Sequence, residues 1–407
     1  MSDERVVIVG AGHAGGSAAA FLRQFGHTGE IVLIGEEPLL PYQRPPLSKA
    51  WLKGEADAES LELRPAAFYQ EEAITLRLGV HALSIHRSAK TVHLSDGDVV
   101  PYDRLILATG SRARRLSVPG SELRPILELR TAADAERLKQ VLTPGRRLAV
   151  VGGGYVGLEA AASARALGAE VTIVEREARV LARVAHPTLS AFFEAKHASH
   201  GVTILTDASV SGFEGEGGHV QAVLLADGRR LACDVVLVGV GGMAESSLAR
   251  QAGLEVDDGI VVDGTAQTSD PAIYAVGDVT LRPLPLYDSM HRLESVPNAL
   301  EQAKQAAAAI CGSTPPPPET PWFWSDQYDI KLQIAGVPLE CDEVVLRGDP
   351  AQARFALFHL KEGRIRAVEA VNAPAEFMGG RLLIAAGKLV DVAKLADTGV
   401  PMKAVAA

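Results

Sequence analysis

The chain has 407 residues, too many for one typical core and enough for two or three domains. Its 47% hydrophobic and 22% charged residues with a net charge of −10 describe an ordinary globular protein, and nothing in that balance neutralises phosphates, which argues against general nucleic-acid binding. No apolar run approaches the roughly 20 residues needed to cross a bilayer, and the first strand begins by Val6, so neither a membrane span nor a targeting segment is expected.

Val6-Val7-Ile8-Val9 reads as a buried strand. Gly10-Ala11-Gly12-His13-Ala14-Gly15 follows as G-x-G-x-x-G, then an alanine-rich helix to Phe25, a second strand Ile31-Val32-Leu33-Ile34, and Gly35-Glu36. This order is a βαβ unit that holds a dinucleotide. Gly10 permits the tight turn, Gly12 lets the backbone approach a pyrophosphate, and Gly15 lets the helix pack on the strand. Glu36, 26 residues after Gly10, stands where a carboxylate accepts hydrogen bonds from a ribose.

Next comes Pro41-Tyr42-Gln43-Arg44-Pro45-Pro46-Leu47-Ser48-Lys49, a proline-stiffened loop that presents Arg44 and Lys49 at low entropic cost. Residues 61 to 100 read as a helix and short strands ending at the turn Asp96-Gly97-Asp98. Leu105-Ile106-Leu107 is a buried strand, and the small residues Ala108, Thr109 and Gly110 at its carboxyl end admit a ligand, where open α/β sheets bind theirs.

A second fingerprint follows. Leu148-Ala149-Val150-Val151 is a strand, Gly152-Gly153-Gly154-Tyr155-Val156-Gly157 repeats the glycine turn, Leu158 to Leu167 is helix, and Val171-Thr172-Ile173-Val174 ends in Glu175, 23 residues after Gly152. Two complete fingerprints imply two dinucleotides. Glu175 suits both ribose hydroxyls of NAD and repels a 2′-phosphate, favouring NADH over NADPH, although Arg176 beside it is a cation of the kind that holds that phosphate.

Strands at about 202 to 206 and 219 to 226, the turn Asp227-Gly228 and the strand Val235-Val236-Leu237-Val238 complete this inner domain. Tyr274-Ala275-Val276-Gly277-Asp278 offers a backbone N–H and a carboxylate to a polyol such as a flavin ribityl chain. Glu294 to Cys311 reads as a helix opened by Ser295 and Pro297. After the stiff linker Thr314-Pro315-Pro316-Pro317-Pro318, Trp322-Phe323-Trp324 opens a third domain. Its strands are expected at roughly 331 to 334, 343 to 347, 354 to 360 and 364 to 371, and a helical pair at roughly 375 to 396.

These residues resemble a known family: the FAD-containing, NADH-dependent ferredoxin reductases of bacterial oxygenase systems, the group of putidaredoxin reductase and the reductase components of aromatic-ring dioxygenases. The likeness runs essentially end to end. Its most specific pieces are Arg44 to Lys49, Gly152 to Glu159, Tyr274 to Asp278, Glu294 to Ala299, and Phe323-Trp324-Ser325-Asp326-Gln327-Tyr328-Asp329-Ile330-Lys331-Leu332-Gln333. The resemblance implies an α/β fold of glutathione-reductase type. An FAD domain (1–112 and 244–319) would be interrupted by an NAD domain (113–243) and followed by a C-terminal α+β domain (320–407). It assigns Gly10, Gly12, Ala14, Gly15, Glu36, Arg44, Lys49, Ala108, Thr109, Gly110, Gly277, Asp278, Ser295, Val296 and Trp324 to FAD. Gly152, Gly154, Tyr155, Gly157, Glu175 and Gly241 fall to NAD(H), and no metal is implied. One departure stands out: Gly241-Gly242-Met243-Ala244-Glu245 replaces the family's Gly-x-x-Pro-Asn beside the nicotinamide, which should make that segment more mobile.

By the same resemblance, NADH reduces the flavin and the electrons pass singly to a [2Fe–2S] ferredoxin that feeds a haem-thiolate monooxygenase or a ring-hydroxylating dioxygenase. Lys49 and Glu159 are expected to pair at the flavin edge, and Trp324 to lie near its exposed side. Transient docking of an acidic ferredoxin needs a local basic patch, for which Arg292 and Lys331 are candidates. Cys233, Cys311 and Cys341 are few, odd in number and far apart, which suits a reducing cytoplasm, and the loop carrying Lys49 has no cysteine, which excludes thiol chemistry. The alternatives are an NADH-binding flavoprotein that signals through partners, as the apoptosis-inducing factor group does, and a rubredoxin reductase.

Overall fold

The computed structural model describes residues 3–407 and divides into two compact units. The first comprises residues up to Gln43, Ala58–Arg112 and Ala244–Phe323; the second comprises Arg44–Asp57, Ala113–Met243 and Trp324–Ala407. The first two residues of the expected 1–112 segment lie outside the described residues.

The core of the first unit is a five-stranded parallel sheet in the order Ile273–Ala275, Arg104–Leu107, Val6–Val9, Ile31–Gly35, Ile74–Leu78. Val6–Val9 and Ile31–Gly35 are buried at every position, as strands covered on both faces must be. Helix His13–Gln24 covers one face with Ala14, Ala18, Ala19 and Leu22 and packs on helix Val296–Ile310 through that helix's Ala299, Ala303, Ala306 and Ala307. The alanines on both helices let the two backbones approach closely. Helix Val296–Ile310 starts where its signals placed it: the Ser295 hydroxyl oxygen accepts the N–H of Asn298 at 3.2 Å, and Pro297 sits in the first turn.

The core of the second unit is another five-stranded sheet, in the order Thr203–Leu205, Glu170–Val174, Arg147–Val151, Val235–Val238, Ile126–Leu127. Helix Tyr155–Ala166 begins three residues before the expected Leu158, because Gly154 is its N-cap and Gly157 lies within its first turn. A hairpin from Val210–Glu216 to His219–Leu225 closes on Gly217 and Gly218, both at positive φ. Its first strand was not expected, since two glycines and two glutamates interrupt any alternating pattern; pairing with its neighbour holds it.

The C-terminal part is an antiparallel sheet in the order Trp322–Gln327, Ile330–Gly336, Arg364–Val371, Arg354–Lys361, Glu343–Asp349, followed by helices Pro374–Ala386 and Val392–Ala396. The segment opening at Trp322 is therefore a strand as well as a domain start. The proline-stiffened loop is a 3₁₀ turn, Pro45–Ser48, leading into the short helix Ala50–Lys53.

One buried amide fixes the join between strand Ile273–Ala275 and helix Val296–Ile310. The Gln302 side-chain oxygen accepts from the Gly277 N–H (2.9 Å), the Thr280 hydroxyl (2.9 Å) and the Asn298 amide (3.2 Å), and Gln302 is 1% exposed. Gln302→Leu strands the Gly277 N–H and one hydrogen of the Asn298 amide, while the Thr280 hydroxyl keeps the Gly277 carbonyl at 2.9 Å; it should cost about 3 kcal/mol, read by urea denaturation.

Candidate functional site

The two glycine turns are built on the same steric plan. A Cβ at Gly10 would lie 2.2 Å from the Ala108 carbonyl oxygen, and one at Gly15 1.8 Å from the Gly10 carbonyl oxygen. In the second turn, a Cβ at Gly152 would lie 2.4 Å from the Gly239 oxygen and one at Gly157 2.2 Å from the Gly152 oxygen. The first and third glycines are thus demanded by close packing, and Gly10 (φ +111°) and Gly152 (φ +107°) also need the left-handed region. The middle glycines differ. Gly12 and Gly154 are the N-caps of their helices, have no side-chain cap, and a Cβ on either would meet nothing within 4 Å. Each leaves a helix N-terminus without a side-chain cap and with room at the glycine, the arrangement a pyrophosphate takes. The residues fit two dinucleotides.

Around the first turn, Ala108 is buried, Gly110 has φ +67°, and Thr109 donates its hydroxyl to the Glu245 carbonyl at 2.6 Å. Ala14 lies against Gly277, whose added Cβ would come within 3.0 Å of the Ala14 Cβ. The Asp278 carboxylate accepts from the Ser111 hydroxyl at 3.2 Å, and Gln302 holds Gly277 as described. Val296 begins the helix that Ser295 caps. Glu36 follows strand Ile31–Gly35 with its carboxylate 74% exposed, 3.7 Å from the His81 ring. In the second unit, the Glu175 carboxylate accepts the Gly153 N–H at 2.6 Å and the Glu177 N–H at 2.8 Å, which anchors it over the glycine turn. Tyr155 opens its helix, and burial, with Glu369 adding to it, pushes its phenol well above the ordinary range. Gly241 has φ +101°, its carbonyl accepts the Arg114 N–H, and Gly242–Ala244 has regular strand geometry, held beyond its end by the Glu245 N–H to the Gly110 oxygen.

The second unit brings together the two residues expected at the flavin edge. Lys49 Nζ lies 2.6 Å from Glu159 Oε2, with the lysine side chain 18% and the glutamate 6% exposed. The same oxygen accepts the Ser48 hydroxyl at 2.6 Å, while Oε1 accepts the Ser325 hydroxyl at 2.6 Å. One turn further along the helix, the Ser163 hydroxyl donates to the Ser48 carbonyl at 2.7 Å, so residues 159 and 163 on one helix face grip the Ser48-Lys49 segment. Arg44 donates to the Arg130 carbonyl at 2.6 Å. Ser48, Ser163 and Ser325 escaped the sequence reading as site residues; only Ser48 and Ser325 lay inside stretches it singled out. Trp324 is half-buried in the strand that carries Ser325.

Of the two cations considered for docking, Lys331 is exposed, whereas Arg292 is held by Asp258 at 3.2 Å and by Glu294. Cys233 is buried and its thiol is pushed up to about 11 by that burial; burial also raises Cys311 and Cys341. Among the described residues no His, Cys, Asp and Glu cluster is suited to a metal, and no helix is long and apolar enough to cross a membrane.

Residues 4–303 match the pyridine nucleotide-disulphide oxidoreductase family, and residues 322–406 match the reductase C-terminal family. The chain belongs to the first and carries the second. It is similar to the probable ferredoxin reductase CtmF of Castellaniella defragrans, at 50% identity covering 100% of this chain and 99% of the relative. It is 44% identical to the putidaredoxin reductase CamA of Pseudomonas putida over 100% and 97% of the two chains. A crystal structure of the covalent putidaredoxin reductase–putidaredoxin complex matches with a TM-score of 0.97 and 45% identity, covering 99% and 98% of the chains.

The glycine plan makes a test. Gly15→Ala should destabilise the protein by about 2 kcal/mol or more through backbone overlap, whereas Gly12→Ala should stay within about 0.5 kcal/mol and instead weaken FAD retention. Denaturation of the apoprotein and flavin titration separate the two.

Proposed function

We propose that this ferredoxin reductase works through the second glycine turn and the Lys49–Glu159 pair. It carries FAD and binds NAD(H), and it passes electrons from NADH to a [2Fe–2S] ferredoxin of an oxygenase system. In this reading the FAD domain is formed by residues 1–112 and 244–319, NADH docks on residues 113–243, and the protein is cytoplasmic. Bound FAD supplies the chemistry, accepting a hydride from NADH and giving electrons one at a time to the iron–sulfur partner.

The protein's part is binding, orientation and charge. Gly152, Gly154 and Gly157 hold the nicotinamide nucleotide's pyrophosphate, Tyr155 and Gly241 border that nucleotide, and the Glu175 carboxylate takes its ribose hydroxyls. Arg176, the cation that would favour a 2′-phosphate, pairs with Glu177 at 2.8 Å, which supports NADH as the donor. Gly10, Gly12, Ala14, Gly15, Glu36, Arg44, Ala108, Thr109, Gly110, Gly277, Asp278, Ser295, Val296 and Trp324 surround FAD. Lys49 presents its ammonium to the flavin edge, and Glu159 keeps that ammonium in place.

The observation that carries the reading is the Lys49–Glu159 contact at 2.6 Å in the loop where thiol-dependent relatives need a cysteine. The cysteines described above have raised thiol pKa values, the opposite of what a thiolate nucleophile requires.

The test is NADH-driven cytochrome c reduction by the holoprotein with and without a [2Fe–2S] ferredoxin or a rubredoxin. Strong stimulation by the ferredoxin is expected. Preferential stimulation by the rubredoxin would make rubredoxin the partner, and stimulation by neither would move the account to a signalling flavoprotein.

A further inference from the structure

Glu159 Oε1 is the end of a longer chain of side chains. Ser325 Oγ, its donor at 2.6 Å, accepts from Gln327 Nε2 at 3.2 Å. Gln327 Oε1 lies 2.9 Å from His197 Nε2, and His197 Nδ1 lies 3.1 Å from the Tyr328 hydroxyl. Ser325 and Gln327 are each 1% exposed, and His197 is fully buried. Two residues apart on one strand, Ser325 and Gln327 point to the same face.

The direction of every bond follows from the carboxylate. Glu159 Oε1 must receive the Ser325 proton, so Ser325 accepts from the Gln327 amide nitrogen. That turns the Gln327 oxygen toward His197, whose Nε2 must then carry the hydrogen. Nδ1 is left as an acceptor for the Tyr328 hydroxyl. The surroundings agree: burial pushes the His197 imidazole down to about 4 and the Tyr328 phenol up to about 12, leaving a neutral ring and a proton-bearing hydroxyl. The neighbouring charged or titratable groups are His200, whose ring stacks on Tyr328 at 3.8 Å, the Lys196–Asp329 pair at 2.5 Å, and Arg165, which donates to the His200 carbonyl at 2.9 Å and opposes, less strongly, the rise that burial gives the Tyr328 phenol. The backbone is strained to make these contacts, since Tyr328 adopts φ +56° at the hairpin tip that docks on helix Pro187–Ser199.

We propose that Tyr328, His197, Gln327 and Ser325 form a one-way donor chain that positions the Glu159 carboxylate, and through it the Lys49 ammonium, for flavin reduction by NADH. The inference rests on the placing of Lys49 and Glu159 at the flavin edge. The chain conveys orientation and not protons, because the Gln327 amide cannot pass a proton without leaving its stable form. Its effect is geometric. Oε2 is occupied by Lys49 and Ser48, so losing Ser325 leaves Oε1 buried without a donor, and the carboxylate must turn and drag the ammonium with it.

The experiment uses the FAD-loaded protein. Histidine side-chain ¹⁵N spectra should show His197 as a neutral ring protonated at Nε2, unchanged from pH 5.5 to 8. In anaerobic rapid mixing with NADH, Ser325→Ala and Gln327→Leu should each slow flavin reduction about tenfold while the NADH dissociation constant stays within about twofold, and Ser325→Thr should recover most of the rate. An Nδ1-protonated or doubly protonated His197 at pH 7 overturns the proposal without any variant. If Ser325→Ala and Gln327→Leu, with full flavin content, reduce at the wild-type rate while Glu159→Gln is slow, the chain is packing only and the Lys49–Glu159 reading survives. If Glu159→Gln is also fast, that reading fails and the chain's role fails with it.

Discussion

A carboxylate removed from water must be met by donors, and the site is arranged around that demand at Glu159. The residue is 5% exposed and receives an ammonium and two hydroxyls from two segments far from it in sequence: Ser48-Lys49 at the end of the 3₁₀ turn, and the strand bearing Ser325. An exposed ion pair would contribute little and hold no geometry. A buried one is costly to break, because the partner left behind keeps its charge without compensation. The pair is therefore better suited to fixing a position than to adding stability, which is what a group at a reacting cofactor has to do.

The glycine turns answer a different constraint with one solution used twice. Backbone must pass within van der Waals distance of backbone at the first and third positions and leave room at the second. Where room is left, the helix has no side-chain cap, so no side chain at that glycine competes with a ligand for the helix N-terminus. Gln302 adds what the turns alone do not supply, tying the Gly277-Asp278 corner to the helix capped by Ser295.

Features set by local sterics or short spacing were legible in the sequence: both glycine turns, the parallel strands around them, the Ser295 cap, and the last four strands of the C-terminal sheet. Features made by distant pairing were not. The strand Val210–Glu216 exists because His219–Leu225 lies beside it, and its own residues read as a loop. The strand Trp322–Gln327 was noticed as a domain start only. Ser325 meets Glu159 across 166 positions and His197 meets Gln327 across 130, and no local pattern announces either contact. The proline stretch was legible in part: its cations suggested a presented loop, while the fold turns Arg44 onto a carbonyl; the contact of Lys49 with Glu159 was expected from the family resemblance and not from the loop's own residues.

The central claim is that the Lys49 ammonium serves the reduction of the flavin by NADH. Its most direct test is anaerobic single-turnover reduction of Lys49→Met, with full flavin content confirmed beforehand. The account predicts a rate about a hundredfold below wild type at an unchanged NADH dissociation constant; reduction at the wild-type rate would contradict it.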